Sequence, residues 1–556
     1  MPQSRRDFLR SAMAGGAALV LPRFTPLAGI LGRRAAGRSR LADSHIDIRL
    51  DDPIGTIAPE IYGHFTEHLG GVIYDGVWVG ENSKIPNVGG IRKALVDALR
   101  LIRPSVIRWP GGCFADSYDW RDGVGPRDKR PTRTNFWADD AGLRGVQGGP
   151  AKYDPNAFGT SEFMRFCRLV GAQPYLAANV RSLPARAFDE WIEYCNAPAG
   201  DTTWSDVRAA AGDAAPYGVR YWGVGNEAWG CGGNFTPEEY AEEFRRFTTA
   251  GAPDYGVGLR FVASGPSGAD RAWTRGLFDA LRARYAVNSV WGLSVHHYCS
   301  APDAGAHAVN FDERGWYDLL ASANRMESVI DTVWTVAAEG DPRHHVKLVV
   351  DEWGAWHASH PIADASHLFE SQSTIRDAVV AGLTLDTFNR NCDKVAMANV
   401  AQMINCIQSV FLAHDDGFTV TPVYHVFAMY AAHQGARAVR AEFSAPPHSW
   451  TDKDNGAATL WGLNGSASVR GNTLTLTVTN PSMTEARETE IAVRGGAVRS
   501  VRATTLAAHS VHDVNTFAHP DTVAPTSAEL PAGAVGGSLV YEFPPASVTK
   551  LEFALG

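Results

Sequence analysis

Between about residues 60 and 405, short apolar runs alternate with amphipathic stretches, the pattern of βα units built on a parallel sheet. Eight runs carry the strand signal: 61–65, 106–109, 174–179, 220–224, 260–263, 290–295, 347–350 and 395–400. Helices fall between them. Thr236-Pro237-Glu238-Glu239 supplies an N-cap, a proline at N1 and a glutamate at N3, and Tyr240, Phe244 and Phe247 follow at helical spacing. Residues 91–99 read the same way. No GxGxxG turn follows the first strand, so eight strands with crossing helices predict a closed barrel rather than an open doubly wound sheet. Beyond residue 426 the period falls to two, as in 473–479, where threonine alternates with leucine and valine. The predicted fold is therefore α/β: a (β/α)8 TIM barrel with a C-terminal antiparallel β-sandwich of jelly-roll type. The predicted organisation is a leader at 1–40, a strand joining the sandwich at 41–58, the barrel at 59–425 and the sandwich at 426–556.

The leader stands apart in composition. Arg5 and Arg6 precede the short apolar run 12–21, the arrangement of a Tat-type export signal, which predicts a periplasmic or extracellular protein. That run is too short to span a bilayer, so no stable membrane insertion is expected. The whole chain carries a net charge of −9, and because the leader holds eight arginines and one aspartate the remainder carries −16. Such acidity argues against a nucleic-acid partner and is compatible with a neutral substrate. Seven cysteines lack CxxC or Cys/His metal spacing, and an odd number cannot all pair.

In a barrel of this kind, polar residues at the C-terminal ends of strands form the working face. Glu227 follows the fourth predicted strand, and Glu352 follows the seventh across the mouth. Cleaving a glycosidic bond needs one carboxylic acid to protonate the leaving oxygen and a second carboxylate to attack or to activate water. Glu227 sits among glycines and tryptophans, a setting that excludes water and suits a proton donor, whereas Glu352 suits a nucleophile within reach of Tyr298. The paired histidines His296-His297 and His344-His345 point to opposite faces of an extended chain, so neither pair chelates one ion; no metal and no cofactor are expected. His64 and His68 are expected to hydrogen-bond around the site, and Trp109, Trp229, Trp353 and Trp356 to line the cleft.

Seven blocks in order carry a resemblance: 63–70, 108–116, 120–126, 223–227, 297–298, 351–353 and 401–405. Across nearly all of its length after the leader the chain resembles glycoside hydrolase family 51, the α-L-arabinofuranosidases of clan A. The resemblance implies a retaining mechanism with Glu227 as acid/base and Glu352 as nucleophile, their carboxyls roughly 5 Å apart. It further implies that Glu67, Asn226 and Gln402 bind furanose hydroxyls, that Tyr298 orients the nucleophile, that Arg108 belongs to the site, and that Trp137 and Trp356 wall the pocket. The expected substrate is an arabinan or arabinoxylan-type saccharide, cut from its end, and the family often forms trimers or hexamers. Where many members place asparagine after the Pro-Gly-Gly turn, this chain has Cys113, which puts the sugar contact there in question. Cys231 would stand at the same mouth, making a disulfide between the two a candidate in an exported protein. Two other readings stay open: another clan A retaining glycosidase (endo-β-glucanase or β-xylosidase), or a carbohydrate-binding protein on a catalytically dead barrel.

Overall fold

The computed structural model describes residues 42–249, 253–358, 362–530 and 538–556. The arginine-rich leader lies outside the described residues. Strand β1 (Ser44–Thr56) precedes the barrel strands β2 (Gly63–Phe65), β3 (Val106–Trp109), β4 (Gln173–Ala178), β5 (Tyr221–Val224), β6 (Arg260–Ala263), β7 (Gly292–Cys299), β8 (Lys347–Ala355) and β9 (Val395–Val400). These eight close into a parallel barrel in chain order, β9 pairing back onto β2. Around it run α1 (Lys93–Ile102), α2 (Thr160–Val170), α3 (Ala185–Asn196), α4 (Thr203–Ala210), α5 (Pro237–Thr249), α6 (Arg271–Arg282), α7 (Glu313–Asn324), α8 (Met326–Gly340) and α9 (Ile375–Arg390).

Alternation along each strand divides the barrel into two apolar layers. Val106, Tyr175, Tyr221, Val262, Val349 and Met397 fill the interior as one cluster. Their neighbours Ile107, Leu176, Trp222, Leu348 and Val350 face outward into the core shared with the helices. The same alternation turns Trp109 and Trp353 outward: both are buried, the first stacked on Phe163 and the second packed against Phe388 and Phe427. The expectation that these two indoles line the cleft is thereby corrected. The flanking residues Arg108 and Glu352 face in instead.

One irregularity matters for chemistry. Ser294 pairs with Val349 but His296 pairs with Glu352, and Val350 pairs with Ala398 but Trp353 with Val400. Against both neighbours, β8 therefore carries one extra residue between Val350 and Trp353. A bulge of this kind re-aims side chains. Here it lets the consecutive residues Asp351 and Glu352 both turn toward the barrel axis.

After β9 come a hairpin, β10 (Phe411–His414) and β11 (Gly417–Val420), the helix α10 (Pro422–Tyr430), and then β12 (Arg437–Ser444), β13 (Asn464–Arg470), β14 (Thr473–Asn480), β15 (Arg487–Arg494), β16 (Val498–Leu506), β17 (Thr526–Leu530), β18 (Ser538–Phe543) and β19 (Ser547–Leu555). With β1 these last eight form a nine-stranded sheet ordered β17-β16-β19-β14-β13-β12-β1-β15-β18. Its pairings are antiparallel except between β1 and β15. The sheet folds over on itself, since Ile46, Leu476, Val501, Phe543 and Leu551 share one core and Thr505 on β16 hydrogen-bonds Tyr541 on β18.

Barrel and sheet meet along α9, where every residue from Ile375 to Asn389 is buried. At that interface the Asp386 carboxylate accepts hydrogen bonds from Ser466, Thr477, Thr479 and Tyr430. Burial pushes its pKa up to about 6 in spite of those donors.

Candidate active site

The barrel mouth is assembled from the ends of β2, β3, β5, β7, β8 and β9. Glu67, just past β2, is buried; one carboxylate oxygen accepts from the backbone N–H groups of Gly112 and Phe114 at 3.1 and 3.0 Å, and the other from the Gln402 amide at 2.9 Å. Desolvation, reinforced by the nearby Glu352 carboxylate, raises its pKa to about 7. Arg108 on β3 lies at the centre. Its guanidinium donates to Glu352 at 2.7 Å and to the Asn226 side-chain oxygen at 2.6 Å, with Asp351 3.6 Å away. Burial works against that cation, but Asp351 and Glu352 outweigh it and hold the guanidinium protonated.

Glu352 is gripped on both oxygens, by Arg108 on one and by the Tyr298 hydroxyl on the other at 2.8 Å. Glu227 is held differently. It stands two residues past the turn at Gly225, with one oxygen 3.0 Å from His296 Nδ1 and the other facing the sulfurs of Cys231 and Cys113 at 3.5 and 3.8 Å. One oxygen of each glutamate lies within 4.8 Å of the other. Gly112 makes room for this arrangement: a Cβ there would come 2.6 Å from a Glu352 oxygen.

Aromatic rings complete one wall. Tyr298 meets Trp356 edge to face at 5.0 Å, Trp356 meets Phe369 at 5.1 Å, and Phe369 meets Trp137 at 5.7 Å. Glu67, Arg108, Asn226, Tyr298, Glu352 and Gln402 thus meet at the mouth through Glu67 and Arg108, and Trp137 and Trp356 join them through this chain of rings. Cys113 and Cys231 are bonded to each other, with Cα atoms 5.5 Å apart. Cys113 therefore has no thiol to offer a sugar.

Three contributors escaped the sequence reading. His296 bridges Glu227 and Asp351, its ring nitrogens 3.0 and 3.1 Å from their carboxylates, and it lies 3.5 Å from Glu352. Burial disfavours its charge, yet Glu352, Asp351 and Glu227 together raise its pKa to about 10. Asp351 sits beneath, accepting from Ser294 at 2.6 Å and Tyr175 at 2.9 Å; burial opposes its charge, but Arg108 and His296 hold it well below the usual carboxylate range. Asp116 is a buried carboxylate that accepts from the backbone of Val180, Arg181 and Asn226, tying the loops after β3, β4 and β5 together. Position at a strand end was a visible signal for His296, but its facing direction was not. Of the two histidines expected to hydrogen-bond around the site, one does and one does not. His68 bonds Asp154 and accepts from the Trp109 indole, whereas His64 is buried against Phe427 with no hydrogen-bond partner, and desolvation lowers its pKa to about 3.

Two carboxylates this close at the mouth of a (β/α)8 barrel are the equipment of a retaining glycoside hydrolase, since inverting enzymes keep them about 6.5–9.5 Å apart to seat a water. Comparison with known proteins agrees. Residues 98–315 match the α-L-arabinofuranosidase 1 domain, and residues 351–547 match the α-L-arabinofuranosidase C-terminal domain. An intracellular exo-α-L-arabinofuranosidase from Bacteroides ovatus is 35% identical over 86% of this chain and 90% of its own length. An intracellular exo-α-(1→5)-L-arabinofuranosidase from Acetivibrio thermocellus is 31% identical over 66% of this chain and 71% of its own. The crystal structure of the family 51 arabinofuranosidase from Xanthomonas axonopodis pv. citri superposes with a TM-score of 0.84 at 35% identity, covering 92% of this chain and all of that one. The chain belongs to glycoside hydrolase family 51, the α-L-arabinofuranosidase family.

The relatives' names correct one expectation. Both are described as intracellular, which overturns the reading of an exported, periplasmic or extracellular protein. Paired arginines before a short apolar run are only a compositional signature, and a basic leader of any purpose produces the same pattern. The Cys113–Cys231 pair accordingly stands on proximity at the barrel mouth and not on an oxidising compartment.

Proposed function

We propose that the protein removes terminal α-L-arabinofuranosyl groups from arabinan or arabinoxylan-type saccharides by double displacement, with Glu352 as nucleophile and Glu227 as acid/base. The observation that supports this reading best is the unequal environment of the two glutamates. Glu352 is held on both oxygens by Arg108 and Tyr298, which fix its direction and balance its charge. Glu227 instead faces the His296 ring with one oxygen and the Cys113–Cys231 sulfurs with the other.

In the first step a Glu352 oxygen bonds to the anomeric carbon while the glycosidic C–O bond breaks and Glu227 gives its proton to the departing oxygen. In the second, Glu227 takes a proton from water, the water oxygen attacks the anomeric carbon, and the ester to Glu352 is released. Arg108 and Asn226 form one side of the sugar site, Glu67 and Gln402 another, and Trp137 and Trp356 offer apolar faces to the ring. The names of the relatives favour α-(1→5) linkages. A trimer or hexamer is part of the same reading.

Azide separates the two roles. With an aryl α-L-arabinofuranoside, Glu352→Ala should lose at least 10³-fold in kcat, on the order expected for a missing nucleophile, and azide should restore turnover with a β-arabinofuranosyl azide as product. Glu227→Ala with azide should give the α-azide. The opposite pairing of products would reverse the assignment, and unchanged hydrolysis by Glu352→Ala would remove it.

A further inference from the structure

A second cluster of ligating side chains lies apart from the two glutamates, in a cavity of about 380 Å³ lined by Tyr74, Asp75, Asp364, His367, His414 and Asp415. Its three central members come from three different segments. Asp75 is in the turn that follows Glu67, His367 lies between β8 and α9, and His414 ends β10. Asp75 Oδ2 is 3.2 Å from His367 Nε2 and 2.8 Å from His414 Nδ1, and one donor atom from each of the three lies within 4.8 Å of the other two. In a tetrahedral zinc site with bonds of about 2.0–2.1 Å, neighbouring ligand atoms are about 3.3 Å apart. A slight opening of the two short contacts would therefore admit an ion.

Each of the three is also held from behind, as metal ligands are. Glu370 contacts His367 Nδ1 at 3.0 Å, which leaves Nε2 to face the cavity, while its other oxygen accepts from the backbone of Ile362 and Ala363. Asp415 Oδ2 stands 3.5 Å from His414 Nε2, freeing Nδ1. The second oxygen of Asp75 accepts from Arg92 at 3.2 Å and from the Asp415 backbone at 3.0 Å, so that Oδ2 is the one presented. Water completes a fourth position. Two imidazole nitrogens with one carboxylate suit a zinc-class divalent ion and not calcium or magnesium, which prefer all-oxygen shells.

We infer that Asp75, His367 and His414 form a structural binding site for a divalent transition-metal ion, of which zinc is the expected occupant, joining three loops at the rim of the barrel mouth. Those loops support the sugar pocket. The Asp75 turn continues from Glu67, Phe369 beside His367 packs between Trp137 and Trp356, and Gly71 lies directly beneath the His367 ring, where a Cβ would come within 2.3 Å. The ion would thus act on the rigidity of the pocket and on stability, not on bond cleavage. The two other ligand clusters among the described residues both contain Glu227 and belong to the site already described.

The test uses tag-free full-length protein, stripped with a chelator and freed of it. Zinc titrated by calorimetry, with metal content measured after gel filtration, should bind at one equivalent per chain and raise the melting temperature by several degrees. Cobalt in its place should give the strong visible bands of a four-coordinate ion. His414→Gln and Asp75→Asn should each weaken zinc binding at least tenfold, while aryl arabinofuranoside hydrolysis by His414→Gln shows that the fold is intact. No stoichiometric zinc and no thermal shift in the wild-type protein would reduce the cluster to an ion-pair network and overturn the inference. Undiminished binding in both variants would place the ion elsewhere and overturn it equally.

Discussion

His296 shows how much one side chain can carry at the centre of this site. It is the cation that separates Glu227, Glu352 and Asp351, three carboxylates that would otherwise repel one another in a water-poor mouth. Its folded-state pKa is raised from 6.5 to about 10, so the stability it contributes is fully present below about pH 6.5 and is lost as the pH rises through about 10. His296→Asn should therefore destabilise the protein by about 3–5 kcal/mol at pH 6.5, the cost of breaking a buried charge pair. The gap in melting temperature between wild type and variant should then narrow steadily toward pH 10. A gap that stays constant across that range would mean that the ring is neutral and only fills space. Glu227 and Glu352 themselves were legible in the sequence because each ends an apolar run close to tryptophan, Glu227 between Trp222 and Trp229 and Glu352 directly before Trp353. Trp109 and Trp353 misled for the same reason: proximity in sequence to a site residue places the next side chain on the opposite face of a strand.

At the scale of elements, local chemistry was the most readable. The capping box on α5 forms as its residues suggest, the Thr236 backbone N–H donating to Glu239 and the Glu239 backbone N–H donating to the Thr236 hydroxyl. Tyr240, Phe244 and Phe247 are the buried face of that helix. Because α5 lies on the outside of the barrel, Thr236→Ala should cost about 1 kcal/mol in denaturant unfolding and leave kcat and KM for an aryl arabinofuranoside unchanged. A large change in KM would indicate that the helix positions the Glu227 loop more directly than its packing suggests. The extra residue in β8 has no comparable signature. Nothing in Val-Val-Asp-Glu-Trp marks a bulge, since its existence depends on the register of β7 and β9, which arrive from distant parts of the chain.

For the molecule as a whole, barrel and sheet are joined through the buried Asp386 carboxylate. Removing that carboxylate by Asp386→Ala would leave the hydroxyls of Ser466, Thr477 and Tyr430 without a shared acceptor, at about 1–3 kcal/mol for each group left unsatisfied. The melting temperature should fall markedly while kcat/KM at 25 °C stays within twofold, because the interface is on the far side of α9 from the glutamates. Loss of activity without loss of stability would contradict that separation. The apolar period of the sequence determined the class of fold, eight parallel strands and then a period-two sheet, because burial of one face per element follows from neighbours a few residues apart. Residue types at strand ends likewise determined which carboxylates were candidates. Only the tertiary structure decided which way they face, that Asp351 and Glu352 turn inward together, that His296 sits between them, and that Cys113 meets Cys231. Those outcomes depend on register and barrel closure, contacts between residues tens to hundreds of positions apart, and no local pattern encodes them.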